Sequence, residues 1–513
     1  MLVKMLRNIL KFLTSRIVVV CFIIATQFMI IMTFILKYGI FNDFIRLVLY
    51  FINVMLTIKV VNRYSNPAYK LAWIIIILGL PFVGGVTYLL FAERKVPKSL
   101  RGKIIRHLNE SKELFEETPE IKIEDQDVAQ TLDYINRNGY YPYYQNTSVK
   151  YYPIGEEYFK DLIAKIQEAQ HFIFIEFFII KDGYMLNTLL DALKERIAQG
   201  VKVYLLYDDG GCITCLPTNF KEHLTKMGIK VVTFSPITLK LSLLSRANNR
   251  SHRKIVVIDN LYAFTGGFNI ADEYINKIER FGHWKDTGAM FKGEAVWNFT
   301  VMFIQFYNAS VEEKNVLRYR DFKVQHEVVK SNGIVLPFSD SPTDDEDLCR
   351  ATHFNIITHA KKYVYIHTPY LIIDYDLTNA LRVAAKSGVE VIITVPHIPD
   401  KISVFAVTQS NYQALIEAGV KIYEYTPGFI HSKLVVSDDK IAIVGTFNMD
   451  FRSYYLNYEC GAIIANDAEI QKMKEDYLAT LEKSEEITMA KVKSTHFIVR
   501  VYRAVLNVFA PLL

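Results

Sequence analysis

The hydrophobic pattern changes character along the chain. From Ile17 to Leu36 twenty positions pass without a charge, a length that matches a helix crossing a hydrocarbon layer about 30 Å thick. A cleaved leader would have a shorter apolar core and a small-residue exit, so this stretch is expected to remain as an anchor. Two more apolar stretches follow, Leu47–Val61, in which Lys59 can snorkel to an interface, and Leu71–Phe91, interrupted by Pro81, Gly84 and Gly85. From about residue 145 the pattern becomes short β-rich runs alternating with helical ones, which predicts an α/β fold.

That second region repeats itself. HFIFIEFFII (171–180) answers to KYVYIHTPYL (362–371), and ALKERIAQGVKVYLLYDD (192–209) to ALRVAAKSGVEVIITVPH (380–397). HLTKMGIKVVTFSP (223–236) answers to ALIEAGVKIYEYTP (414–427), and HRKIVVIDNLYAFTGGFN (252–269) to HSKLVVSDDKIAIVGTFN (431–448). The first copy carries 12 extra residues between Pro236 and His252. Two copies are too few for a solenoid, so a pseudo-twofold pair of α/β units with one site between them is expected. The predicted organisation is a membrane anchor of two to three apolar helices over 1–106 and an acidic linker over 107–145. A first repeat over 146–330 and a second over 331–513 follow, the second ending in an amphipathic helix.

Charge sharpens this division. Residues 1–106 hold fifteen Lys/Arg against Asp43 and Glu93, whereas the remaining chain carries a net of −8. The cationic part is therefore the apolar N-terminus, which points to an anionic membrane surface and away from nucleic acid. Lys4, Arg7, Lys11 and Arg16 precede the first stretch, and Arg94, Lys95, Lys98, Arg101, Lys103 and Arg106 follow the third. Both flanks favour the cytoplasm, so the crossings are even in number and one of the three stretches lies in the interface or re-enters. An apolar fraction of 51% excludes disorder, and five Cys exclude a disulfide scaffold.

Each repeat ends in one constellation: His252-x-Lys254-x4-Asp259-x6-Gly266-Gly267-x-Asn269, and His431-x-Lys433-x4-Asp438-x6-Gly445-Thr446-x-Asn448. His and Lys lie two apart at the entry to an apolar strand, so both project to one face. An imidazole there can attack phosphorus while the ammonium takes charge from the phosphoryl oxygens. The glycines permit a tight turn, Asn269 and Asn448 can add neutral donors, and Asp259 and Asp438 support the lysine and the turn. Aligning KDTGAM (285–290) with YECGAI (458–463) pairs Asp286 with Glu459, 34 and 28 residues after the respective His. A reactive His needs its second ring nitrogen held, and these are the expected orienting acids. No metal site is expected, since each motif offers a Lys where zinc would want more His or Cys. Cys212-x-x-Cys215 has no second pair and reads as incidental. Glu176, Tyr370, His367 and His397 lie at matching strand ends, where they pack or line the site. Arg452 and Ser453, just after the second motif, are candidates to meet a headgroup.

On these residues the chain resembles the phospholipase D superfamily and, within it, the bacterial cardiolipin synthases. NPAYKLAW (66–73), EYTPGFIHSKLVV (424–436), GTFNMDFRS (445–453) and THFIVRVYRAVLNVFAPLL (495–513) resemble that branch specifically. Ser251, Asn260 and Lys285 depart from it, where Asn, Gly and Arg are usual. The resemblance implies a cofactor-free, cell-membrane enzyme transferring a phosphatidyl group between two phosphatidylglycerols through a phosphohistidine. It implies His252 as nucleophile and His431 as acid and base, with the catalytic region cytoplasmic. The two imidazoles must start in opposite protonation states. A hydrolase, a transferase with another acceptor alcohol, a nuclease and an inactive scaffold remain as alternatives. In 494–513, Phe497, Ile498, Val501, Val505, Val508 and Phe509 fall at helical spacing, which fits either the membrane interface or docking on the protein's own body.

Overall fold

The computed structural model of the chain describes residues 43–80, 83–92, 96–115, 121–236, 248–344 and 346–512, with Met29, Thr33 and Lys37. Apart from Met29 and Thr33, the first apolar stretch, Ile17 to Leu36, and most of the 12-residue insertion lie outside the described residues. The chain divides into two compact units, one containing Met1–Lys95, the other Val96–Pro236 and Asn249–Pro511.

Among its described residues the first unit holds the helices Asp43–Asn62, Pro67–Gly79 and Gly84–Phe91. Leu56, Val60, Tyr69, Trp73, Ile77 and Tyr88 form their shared core. The third apolar stretch is thus two short helices, where a single span over Leu71–Phe91 was expected. The chain folds back so tightly that a Cβ on Gly84 would stand 2.1 Å from the Ile76 carbonyl oxygen. Among the described residues no helix is long and apolar enough to cross a membrane.

The second unit contains the duplication. Its first half supplies β1 (Thr147–Tyr152), β2 (Phe172–Phe177), β3 (Lys202–Asp208), β4 (Lys230–Phe234), β5 (Ile255–Ile258), β6 (Tyr262–Gly266), β7 (His283–Lys285) and β8 (Gly288–Gly293). Its second half supplies β9 (Ile334–Asp340), β10 (Tyr363–His367), β11 (Leu371–Ile372), β12 (Glu390–Pro396), β13 (Lys421–Tyr425) and β14 (Gly428–Ile430). It continues with β15 (Leu434–Ser437), β16 (Ile441–Gly445), β17 (Met449–Asp450), β18 (Glu459–Ala465) and β19 (Ser484–Glu486). Seven strands of the first sheet run β4-β3-β2-β5-β6-β8-β1, and the second runs β13-β12-β10-β15-β16-β18-β9 with β19 added at the β13 edge. Apart from the edge strands β1, β9 and β19, these are the paired segments of the sequence repeat. Each sheet is mixed: β2, β3 and β4 are parallel, as are β10, β12 and β13, and the motif hairpins are antiparallel. The fold is α/β with two duplicated mixed sheets.

Alternation is lost in the central strands because both faces are covered, and the burial of β2, β5, β6, β15, β16 and β18 is complete. Helix Val296–Ser310 is apolar on all sides and buried over nearly its whole length, as a helix enclosed by protein must be. Segment 107–145, expected as a linker, is instead built into the body. It continues helix Lys98–Lys112 and forms helix Gln126–Gly139, whose Val128, Leu132 and Ile135 join the main core. Among its described acids Glu110, Glu113 and Glu124 are exposed, and an acid-rich, polar composition is what reads as a tether in the sequence.

Asp259 and Asp438 shape the turn, as expected, but do not reach the lysines they were also expected to support. Each is the first central residue of a β-turn inside a three-residue hairpin loop, closed by the Leu261 amide on the Ile258 carbonyl or the Lys440 amide on the Ser437 carbonyl. Both central residues have positive φ: 54° and 56° at Asp259 and Asn260, 55° and 60° at Asp438 and Asp439. That is the turn matching the strand twist, and Asn or Asp are the side chains that tolerate it. Asn260 therefore fills a position that glycine also suits. The carboxylate of Asp259 accepts the amides of Gln170, His171 and Phe172 at 2.6–2.8 Å, and that of Asp438 accepts those of Lys361, Lys362 and Tyr363 at 2.6–2.9 Å. They lie at the far end of the motif strands from the histidines and pin the start of the neighbouring strand, touching neither lysine.

Asp438→Ala is accordingly expected to lower stability by about 2–4 kcal/mol in thermal unfolding while turnover per folded molecule changes less than about threefold. Lost turnover with unchanged stability would return the carboxylate to the chemistry.

Candidate active site

His252 and Lys254, and His431 and Lys433, occupy the extended lead-ins to β5 and β15. Two backbone exchanges between the halves bring these lead-ins together. The His252 amide donates to the Tyr458 carbonyl at 2.8 Å, and the His431 amide to the Lys285 carbonyl at 2.7 Å. Strand β7 pairs in parallel with β14, and Ser251 bridges Tyr458 in the same sense. Tyr458 and Lys285 immediately precede Glu459 and Asp286, so each acid arrives beside the histidine of the opposite half. His252 Nδ1 lies 2.8 Å from Glu459 Oε2, and His431 Nδ1 lies 2.6 Å from Asp286 Oδ2. The acids found by aligning the repeats thus meet the imidazoles crosswise rather than within each half.

With Nδ1 engaged, Nε2 is the ring atom left to react. Both rings are almost buried, with side chains 10% and 9% exposed. Phe178 flanks His252 at 5.2 Å between ring centroids, and Tyr274 and Trp284 flank His431, each at 5.4 Å. Lys254 donates to the His252 carbonyl at 2.7 Å, and Lys433 donates to the His431 carbonyl. Lys433 acts electrostatically on His252, and Lys254 and His252 act on His431, so the four groups share one site.

The two His–acid pairs are not equivalent. Glu459 accepts from His252, Ser453 Oγ (2.8 Å), Asn457 Nδ2 (3.2 Å) and the Thr446 hydroxyl. Burial opposes its ionisation, yet the His252 ring, Lys254 and these donors hold its carboxyl below the ordinary range. Asp286 accepts the Thr287 amide at 2.9 Å besides His431, and burial raises it to about 7 against the pull of Lys433. Burial lowers His252 to about 4, with Glu459 pulling the other way, and holds His431 well below the usual range with help from Lys433 and Lys254. Burial likewise lowers Lys254 to about 8 and Lys433 to about 7.

The glycines act by close approach. A Cβ on Gly266 would stand 2.5 Å from Gly288 Cα, and one on Gly445 2.5 Å from Gly461 Cα, so each motif hairpin is pressed against the strand that follows its acid or begins with it. Gly267 leaves room for Asp286, whose Oδ1 a Cβ would meet at 2.0 Å; the equivalent Thr446 is a donor to Glu459.

Other expected contributors divide. Asn269 bridges the Ile179 amide (3.0 Å) and the Tyr274 hydroxyl (2.6 Å), so it braces the wall beside His431. Asn448 bonds Asp450 and leaves its buried Oδ1 without a partner. Ser453 was expected at the headgroup but its hydroxyl serves Glu459, and Arg452 lies among the charges of Asp450, Asp208 and Glu459. Ser251 donates to Glu176 at 2.7 Å, and Arg253 to the same carboxylate at 2.8 Å, so Glu176 is a buried brace. Lys285 is bound by Asp476 at 2.6 Å. Cys212 and Cys215 are free thiols. Among the described residues no three His, Cys, Asp or Glu gather as a metal centre. Thr446, Asn457, Phe178, Tyr274 and Trp284 escaped sequence reasoning. Thr446 had one signal, its alignment with Gly267.

Fold and paired clusters define a phospholipase D-type enzyme. The sequence model of the family described as cardiolipin synthase, PLD-like domain, matches residues 162–279 and 354–480, one match in each half. The phospholipase D–nuclease N-terminal family matches 51–93. The chain belongs to the cardiolipin synthase, phospholipase D-like family. It is 34% identical to a cardiolipin synthase of Geobacillus thermodenitrificans over 93% of this chain and 94% of that one. It is 33% identical to that of Alkalihalophilus pseudofirmus over 88% and 90%, and 38% identical to an uncharacterised Streptococcus mutans protein over 88% and 98%. The phosphatidylserine synthase of Haemophilus influenzae shares the fold, with a TM-score of 0.55 at 15% identity over 75% of this chain and 98% of that one.

An anion between Lys254 and Lys433 restores their protons. Inorganic phosphate binding at pH 8.5 is therefore expected to take up protons, seen as a dependence of the calorimetric heat on buffer ionisation enthalpy. Binding heat independent of buffer would place the anion elsewhere.

Proposed function

We propose that the protein is a membrane-borne cardiolipin synthase that transfers a phosphatidyl group from one phosphatidylglycerol to another. The crossed, unequal His–acid pairs are the observation that carries this reading. Glu459 held ionised against a neutral His252 makes a nucleophile with a free Nε2 lone pair. Asp286, near 7, gives its pair with His431 a proton to lend at neutral pH. His252 Nε2 attacks phosphorus, the bond from phosphorus to the glycerol oxygen breaks, and His431 protonates that oxygen. The terminal hydroxyl of a second phosphatidylglycerol then gives its proton back to His431 and attacks phosphorus. The phosphorus–nitrogen bond breaks, releasing cardiolipin and free His252. Lys254 and Lys433 neutralise the phosphoryl oxygens throughout. Asp259 and Asp438 take no part in these steps.

The names of the relatives support phosphatidylglycerol as donor and acceptor. The Lys/Arg bias of the N-terminal region supports a cytoplasmic catalytic unit on a multi-pass anchor. Full-length protein in phosphatidylglycerol vesicles should give cardiolipin and equimolar glycerol. Phosphatidic acid alone would make it a hydrolase, and a mixed diester formed with an added alcohol in preference would change the acceptor.

Glu459→Gln should keep the melting temperature and lower turnover about 10–100-fold, as loss of an orienting carboxylate does. Wild-type turnover in that variant would remove the role.

A further inference from the structure

The last helix of the chain, Phe497–Val508, buries none of its residues. Phe497, Ile498, Val501, Tyr502 and Val505 fall on one side of it, and Phe497 and Ile498 are 68% and 69% exposed. The opposite side docks on helix Ile402–Ser410, where Arg503 donates to Gln409. An apolar arc left in water by a helix already held from behind is not a core face that failed to pack. From Thr488 onward the chain carries Lys491, Lys493, Arg500 and Arg503 and no acid, so the surroundings of the arc are cationic.

The helix behind the arc reaches toward the active site at its other end. Helix Ile402–Ser410 begins next to Lys401, whose charge acts on His431, and Ile402 beside it is 77% exposed. Ile398 in the same loop is exposed as well. Apolar side chains flanked by Lys and Arg, leading to a site that must receive an acyl-chain substrate, fit one occupant: the headgroup–acyl boundary of an anionic bilayer.

We propose that Phe497–Val508, with Ile402 and Ile398, is an interfacial docking surface that seats the mouth of the site in an anionic phospholipid bilayer, so that substrate enters without crossing water. The proposal rests on the reading of the substrate as a membrane phospholipid, and its test separates the two. Full-length protein carrying an environment-sensitive fluorophore at Ile498→Cys, in a Cys215→Ser background, is reconstituted in phosphatidylglycerol vesicles and compared with the same label at Glu195→Cys. Nitroxide-bearing lipids should quench the label at 498 and leave that at 195 bright. A label at 498 that stays in water, or that is shielded from both water and lipid by a second copy or by another protein surface, overturns the docking surface whatever the enzyme does. The triple variant Ile498→Glu, Val501→Glu, Val505→Glu should lose about tenfold turnover on vesicle lipid and none on a soluble short-chain phosphatidylglycerol. Equal turnover on vesicles would also overturn it. No turnover of either lipid by the wild-type protein would sink the proposed reaction and leave the quenching result to decide the surface.

Discussion

The site depends on an exchange of partners between the two halves. Each imidazole is fixed twice by the opposite half, through its amide to a carbonyl and through Nδ1 to the carboxylate one residue further on. Neither half alone orients a histidine. The exchange therefore makes closure of the halves and assembly of the reactive groups one event. It also fixes both Nε2 atoms relative to the same point, which attack from one side and departure on the other require. The glycine contacts behind it, Gly266 on Gly288 and Gly445 on Gly461, hold the acid-bearing chain against each motif hairpin. Side chains at these positions would force those strands apart and loosen the crossing.

Duplication supplied the geometry and divergence supplied the chemistry. Asp286 faces Gly267 and has few donors; Glu459 is one methylene longer, faces Thr446 and collects hydroxyl and amide donors. The shorter, poorly solvated carboxylate holds its proton more readily, and the longer, well-solvated one stays charged. A second pair of equivalent positions diverged too. Glu176 and Arg253 form a buried ion pair in the first half, where His367 and Ser432 stand 3.3 Å apart in the second. Two copies that remained identical would titrate together, and an acid and a base could not coexist at one pH.

Much of this was legible before any coordinates. The repeat supplied the inner strands of both sheets but not the edge strands β1, β9 and β19, because central strands leave strong apolar signatures. The His–Lys pairs and the two acids followed from aligning one half on the other. The crossing did not, since alignment relates a residue to its equivalent and carries no information on which half it touches. The aspartates of the motifs were misjudged for a related reason. Their spacing is fixed by a hairpin turn and by three amides of the next strand, and a fixed spacing looks alike whether its cause is folding or chemistry. The helices of 107–145 were hidden by an acid-rich composition, and the break after Gly79 by a run of apolar residues that reads as one span.

Electrostatics explains why such a site waits for a phosphodiester. Two ammonium groups buried with two neutral imidazoles face only two carboxylates, one of which burial pushes up to about 7. Burial lowers the lysines to about 8 and 7 against the pull of Glu459 and Asp286, so the site holds these cations weakly. One anionic diester between them adds the missing charge, and the attraction recharges the same lysines that must stabilise the developing oxyanion. Binding and activation are then the same electrostatic change. A neutral ligand would leave both lysines at these lowered values, so the arrangement favours an anionic ligand over a neutral one of the same shape.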